Sequence, residues 1–373
     1  MSRQEPEPVP TTADPEQLRL ISVLVVFLGA GLFLALPFVL SIGAVVFLPL
    51  TCALVLSIVL APLADRLAGW GLPNLLASFF ALIIAAAVLL ALLSTMLQPA
   101  LDTIDQLPTM ARRVAQQVSA LRGDLSWLSD VNRQLLRLVG RTPAREVVLA
   151  GPSVLEQLAF ATPVLVLEAL LTALMSFFMI EARVRMRRRL LSNPAHLESG
   201  RKAARMIREV QDLVAAYMAT VGLINLGVGV LVGLGAWAFG FEAPVMWGVL
   251  AALLNFLPYL GPLAMMAVLA LVGLASRDAL LTGLLPALFY LGIHTIEANL
   301  VTPALLGRRF TLNPVLILVS ISYFYWIWGV IGALLAMPIL LILTALFHHI
   351  GRPNLLGFLF GEPLFPLEEE PTH

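Results

Sequence analysis

Three places in this chain set polar or charged side chains inside apolar sequence. The first is Asn255-Phe256-Leu257-Pro258-Tyr259-Leu260-Gly261-Pro262. Two prolines around a glycine break a helix, because proline lacks an N–H and its ring clashes with the carbonyl four residues back. A broken helix leaves backbone carbonyls and amides free to bind an ion or a solute. The same residues also fit a plain turn at a membrane edge. The second place holds His294, Glu297 and Asn299, followed by Pro303 and Gly307. His294 and Glu297 are three apart and can share a helix face. Such a titratable pair can carry a proton or hold a cation. It can equally be a structural hydrogen bond, with Glu297 reaching Arg308 or a neighbouring helix. The third is Glu168, alone in an apolar run. A mid-span carboxylate costs about 2.5–3.5 kcal/mol on insertion scales. It is expected to face the protein interior, for coupling or for packing. Glu181, at the end of the same run, and Asn225, in a glycine-rich run, are further candidates for coupling or packing.

Other chemistries are not expected. The chain has no G-x-S-x-G, H-E-x-x-H or Walker A sequence, so neither an enzyme nor an ATP-driven pump is anticipated. Cys52 is the single cysteine, which excludes an intrachain disulfide and a cysteine-based zinc site. The five histidines show no metal-ligand spacing, and no metal or cofactor is expected.

The elements that must position these residues are read from hydropathy. The chain is 60% hydrophobic and 12% charged, with mean hydropathy +0.93. Soluble domains carry about 25% charged residues. The fold class expected is all-α and polytopic, with about eight spans of roughly 20 residues each. Residues 1–17 read as a disordered cytoplasmic tail. Residues 18–97 hold three helices, at 18–37, 39–62 and 75–97, the first two joined by a tight turn near Pro37. Residues 98–153 are polar, and their apolar positions from Val114 to Leu138 recur at spacings of three and four. That is an amphipathic helix, lying on the membrane or joining copies of the chain.

Residues 154–348 return to spans. The segment 181–212 carries nine basic residues, among them Arg183, Arg185 and Lys202. A basic cluster beside a span marks the cytoplasmic side. With no aromatic residue between these arginines, nucleic acid is not an expected partner. Counting back from this segment places 98–153 outside and the N-terminus inside, in an inner or plasma membrane. After Pro244 the apolar segments are interrupted. Gly329, Gly332 and Pro338 can bend or divide the last one, Pro314–His348. Re-entrant hairpins would change the span count. Residues 349–373 form a tail.

The C-terminal half resembles the autoinducer-2 exporter family. Asn255–Pro262 is similar to its I-P-Y-x-G-P motif. Glu297-Ala-Asn299-Leu-Val-Thr-Pro303-Ala-Leu-Leu-Gly307-Arg308 is similar to its E-x-N-x-x-x-P-x-x-x-G signature. Asn313-Pro314 and Gly329 to Pro338 resemble its final segment. The chain differs from the family pattern at His294, at Asn313 and near Glu181. The resemblance implies a permease, often homo-oligomeric, whose partners are the lipid bilayer and a small polar solute or cation. Three functions stay open: an exporter of a small polar solute, a sodium(lithium)/proton antiporter, or a non-transporting oligomeric membrane scaffold.

Overall fold

The computed structural model describes residues 15–123, 154–192, 197–277, 279–306 and 313–350. Among them every regular element is helical. In chain order these are α1 (Pro15–Ile42), α2 (Ala44–Gly69), α3 (Asn74–Gly123), α4 (Val154–Ser192) and α5 (Leu197–Ala238). Then come α6 (Pro244–Leu254), α7 (Leu260–Ser276), α8 (Leu280–Ile296), a π-helical turn (Glu297–Val301), α9 (Thr302–Leu306) and α10 (Pro314–Ile350). Seven stretches of the described residues are long and apolar enough to cross a bilayer. Their outer faces expose large apolar side chains such as Phe27, Leu32, Leu90 and Leu226, which suits lipid and not water. The chain is a polytopic helical membrane protein.

The N-terminal helices depart from expectation in their joints. α1 runs through Pro37 and ends at Ile42, and α2 runs through Pro49 and Pro62. Proline is tolerated inside a membrane helix when neighbouring groups satisfy the freed carbonyl. The break falls at Gly43 (φ −87, ψ 19), and α1 packs along little of α2. α3 does not stop at Leu97 either. It continues through Pro99 and Pro108 for 50 residues. At 1.5 Å per residue that is about 75 Å, far more than a hydrocarbon core of about 30 Å. The first part of the expected amphipathic region is therefore an extension of the third span. Its remainder, including Leu125–Leu138, lies outside the described residues. At the other end of the bundle, Arg183 of α4 pairs with Asp65 of α2.

The C-terminal half is built differently. α6 folds back along α5, and their backbones meet at glycines. A Cβ on Gly248 would come within 2.5 Å of the Gly229 carbonyl oxygen. Small residues allow this approach, and dispersion across it replaces the hydrophobic drive that lipid does not supply. α7 then returns. Arg277, just past its end, donates from Nη2 to the Phe239 carbonyl at 2.7 Å. The start of α6 and the end of α7 thus sit together beside the end of α5. Pro244–Ser276 is a folded-back helical pair, where one interrupted pass was the simple expectation.

α10 repeats the device. Trp328 (φ −130, ψ 17) and Gly329 (φ 62, ψ −143) leave helical geometry. Ile317, Ile321 and Phe324 before them share one core cluster with Ala333, Ala336 and Leu340 after them. In a straight helix Ile317 and Leu340 would lie about 34 Å apart. α10 is therefore two arms folded about Trp328–Gly329, and Gly329 divides the segment, one of the two outcomes its sequence allowed. Pro338 is fully buried in the second arm.

α8 runs antiparallel to α5. Phe289 packs on Phe239 with centroids 5.7 Å apart at one end, and Leu306 joins the cluster of Val214 and Tyr217 at the other. A long helix followed by a folded-back pair thus occurs twice, in opposite directions. That is the layout of an inverted repeat.

Candidate functional site

The tip between α6 and α7 is strained. Tyr259 has φ 66 and ψ −51, and Leu260 N–H donates to the Pro258 carbonyl at 2.7 Å. This is a classic-type γ-turn, the rare form. A non-glycine residue held there costs about 1–3 kcal/mol and needs its surroundings to enforce it. Gly261 is enforced too, because a Cβ there would come within 1.8 Å of the Leu254 carbonyl oxygen. Pro262 is buried in the first turn of α7.

Asn255 ends α6, and its Nδ2 donates to Asn225 Oδ1 at 2.9 Å. Asn225 is 2% exposed and its own Nδ2 has no partner. A buried amide left unpaired costs about 1–3 kcal/mol. The structure thus joins Asn225 and Asn255, which the sequence placed in separate groups.

The π turn follows from Pro303. Proline cannot donate to the Asn299 carbonyl and would clash with it. Widening the helix by one residue relieves both, and Thr302 N–H reaches back to the Glu297 carbonyl. π turns recur at functional sites. Here the turn carries Glu297 and Asn299. Glu297 Oε2 lies 3.2 Å from His294 Nδ1, and Thr302 Oγ1 donates to Glu297 Oε1. Asn299 Nδ2 donates to the Thr295 carbonyl at 2.8 Å, and the residue is exposed. Pro303 is exposed as well. Gly307 and Arg308 lie outside the described residues.

Tyr290 was missed by sequence reasoning. It is 1% exposed, its ring stacks on His294 at 6.3 Å, and its hydroxyl has no partner. The i, i+4 spacing from His294 was the available signal.

The α6–α7 tip and the π turn both pack against α5. Antiparallel packing of α8 on α5 puts Asn225 level with the π turn. Leu257, in the α6–α7 tip, packs on the cluster that Tyr323 and Trp328 also border. Gly332, beyond the α10 fold, packs on the Phe324 carbonyl.

Two sequence candidates are elsewhere. Glu168 is half-buried on α4 beside Cys52 of α2. Glu181 is paired with Arg185, one turn on. Both belong to the α2–α4 side of the molecule.

Comparison with known proteins decides what this arrangement belongs to. The sequence profile of the AI-2E family transporters matches residues 21–352. The chain belongs to the AI-2E transporter family. Among relatives, it is 24% identical over 322 residues to "Putative transport protein YhhT" of Escherichia coli (strain K12), covering 86% of this chain and 87% of that one. It is 24% identical over 310 residues to "AI-2 transport protein TqsA" of the same strain, covering 80% and 85%. In this AI-2E transporter the first two of the three resembling stretches fall on the strained tip and on the π turn.

Proposed function

We propose that this transporter moves a small polar solute past a site formed by Asn225, Asn255, the Pro258–Pro262 tip and the Glu297–Asn299 turn. What supports the reading is the Asn255–Asn225 hydrogen bond at the α6–α7 tip, on the stretch of α5 that the π turn also packs against. Irregular backbone inside a membrane persists where protein or a wet cavity satisfies it. Rocking of one repeat against the other would expose such a site to either side in turn. The solute class includes the one named for TqsA, and autoinducer-2 is the first solute to try. In this reading the α6–α7 and α10 pairs are re-entrant, and the basic 181–212 segment and the N-terminus face the cytoplasm of an inner membrane. The apolar outer face of α1 is available to lipid or to a second copy in a homo-oligomer.

A second reading is cation/proton exchange. The His294–Glu297 contact favours it, because a titratable pair set among apolar helices can exchange a proton for a cation. Efflux from proteoliposomes separates the two. Glu297→Gln is expected to abolish any pH or sodium dependence while solute binding persists. Unchanged dependence in the variant removes Glu297 from coupling.

A further inference from the structure

A cavity of about 490 Å³ lies away from the proposed transport site, under the extended half of α3. Phe239, at the cavity's edge, is fourteen positions on from Asn225, about 21 Å along the line of α5. The α3 extension is clasped to the end of the α6–α7 pair. Gln117 Nε2 donates to the Arg277 carbonyl at 2.6 Å, and Arg113 reaches the Ala275 carbonyl at 3.5 Å. The cavity lies between residues 99–110 of this extension and the ends of α5, α6 and α7.

Its lining has two characters. Met246, Trp247 and Val272, all nearly fully buried, make an apolar floor with Met110. Asp102 and Glu242 stand at the rim, and neither has an ion-pair partner among the described residues. Arg277 also lines the cavity, but its guanidinium is turned to the Phe239 carbonyl and reaches neither carboxylate within salt-bridge range. The volume suits a small organic molecule. The rings of Phe239, Phe241 and Trp247 beside two carboxylates suit an ammonium group on an apolar body.

We propose that this cavity is a second ligand site, for an organic cation with an apolar body, distinct from the transport site. A ligand here touches both α3 and the α6–α7 pair, and so tightens the clasp between them. The ammonium can come from a free amine or from a phosphatidylethanolamine headgroup.

The test uses the full chain in phosphatidylglycerol nanodiscs, titrated with benzyltrimethylammonium and followed by ligand-observed NMR or calorimetry. Benzyl alcohol serves as the uncharged control. Wild type is expected to bind the cation and not the alcohol. Asp102→Asn with Glu242→Gln is expected to weaken binding at least tenfold. Thr103→Trp, which fills the cavity and keeps both carboxylates, is expected to abolish it. Each variant is first checked for an unchanged elution profile and thermal midpoint. Binding that survives either change overturns the proposal, as does no binding to wild type. Repeating the titration in phosphatidylethanolamine identifies the source. Competition there assigns the site to the headgroup, and undiminished binding assigns it to a free solute. Because binding is read directly, the result stands apart from whether Asn225 and Glu297 carry transport.

Discussion

The two folded-back pairs of this transporter share a hinge and differ in what the hinge presents. In each, a glycine just past the tip lies against a carbonyl of the arm before it. Gly261 meets Leu254, and Gly332 meets Phe324. The first tip is polar and strained: Asn255 reaches Asn225, and Tyr259 sits in a γ-turn. The second is aromatic: Tyr323, Phe324, Trp326 and Trp328 surround its fold. Its hydrogen bond goes outward, from Trp328 Nε1 to the Leu40 carbonyl of α1 at 3.1 Å. The difference points to a division of labour. In the proposed transport reading the first tip offers groups to a solute, while the second is bonded to the N-terminal helix α1.

The shared hinge is the place to expect the largest effects. Gly261→Ala puts a Cβ about where the Leu254 carbonyl oxygen stands, and Gly332→Ala does the same at Phe324. Backbone cannot yield as a flexible side chain can. Overpacking usually costs about 1–3 kcal/mol, and more where nothing can move. Both variants are expected to lower the thermal midpoint sharply and to reduce monodisperse protein in size-exclusion chromatography. Gly292→Ala, with nothing within 4 Å of its Cβ, is the control and should be neutral or slightly stabilising. Equal behaviour of all three would mean that the hinges are not closed as described.

The polar tip should give the next effect. Asn255→Ala removes the donor to Asn225 Oδ1, whose own Nδ2 already has no partner, and is expected to cost about 1–3 kcal/mol. Replacing both partners with apolar groups of like shape is nearly neutral by the same argument. Asn225→Leu with Asn255→Leu is therefore expected to recover most of the thermal midpoint and none of the solute flux. Recovery of both would make the amide pair a packing device and erase the contrast between the tips.

Much of this was legible in the sequence, and the limits have physical causes. Asn255–Pro262 and Glu297–Asn299 stood out because proline, glycine and polar groups inside apolar sequence must break helices or face protein. The direction the chain takes after a break did not stand out. Hydropathy around Gly329 is the same for a bent span and for two folded arms, and only the approach of Gly332 to the Phe324 carbonyl and the shared core cluster of the two arms separate them. Pro37 misplaced the first joint because a membrane helix can absorb a proline that Gly43 makes unnecessary as a break. Pro99 and Pro108 likewise failed to stop α3. Glu168 stood out as well, and it lies on α4 beside Cys52, away from the tip and the π turn. The cost of burying a carboxylate marks that it must have a setting, and says nothing about which setting. Tyr290 was passed over because a tyrosine in an apolar helix reads as core until its hydroxyl is seen without a partner.

The smallest expected effect tests the anchoring tip. Trp328→Phe keeps an aromatic ring against Phe324, now 6.0 Å away and inclined at 30°, and removes only the N–H that reaches Leu40. A net hydrogen bond is worth about 0.5–1.5 kcal/mol, so the thermal midpoint should fall modestly. Solute flux at saturating concentration should stay near wild type, because no group of this tip is assigned to the solute. The comparison with the Asn225/Asn255 double leucine variant is what gives the experiment force. The first tip is expected to lose flux at nearly constant stability, and the second to lose stability at nearly constant flux. If Trp328→Phe abolishes flux while the midpoint holds, the aromatic tip takes part in translocation, and the two halves of the inverted repeat work alike despite their different chemistry.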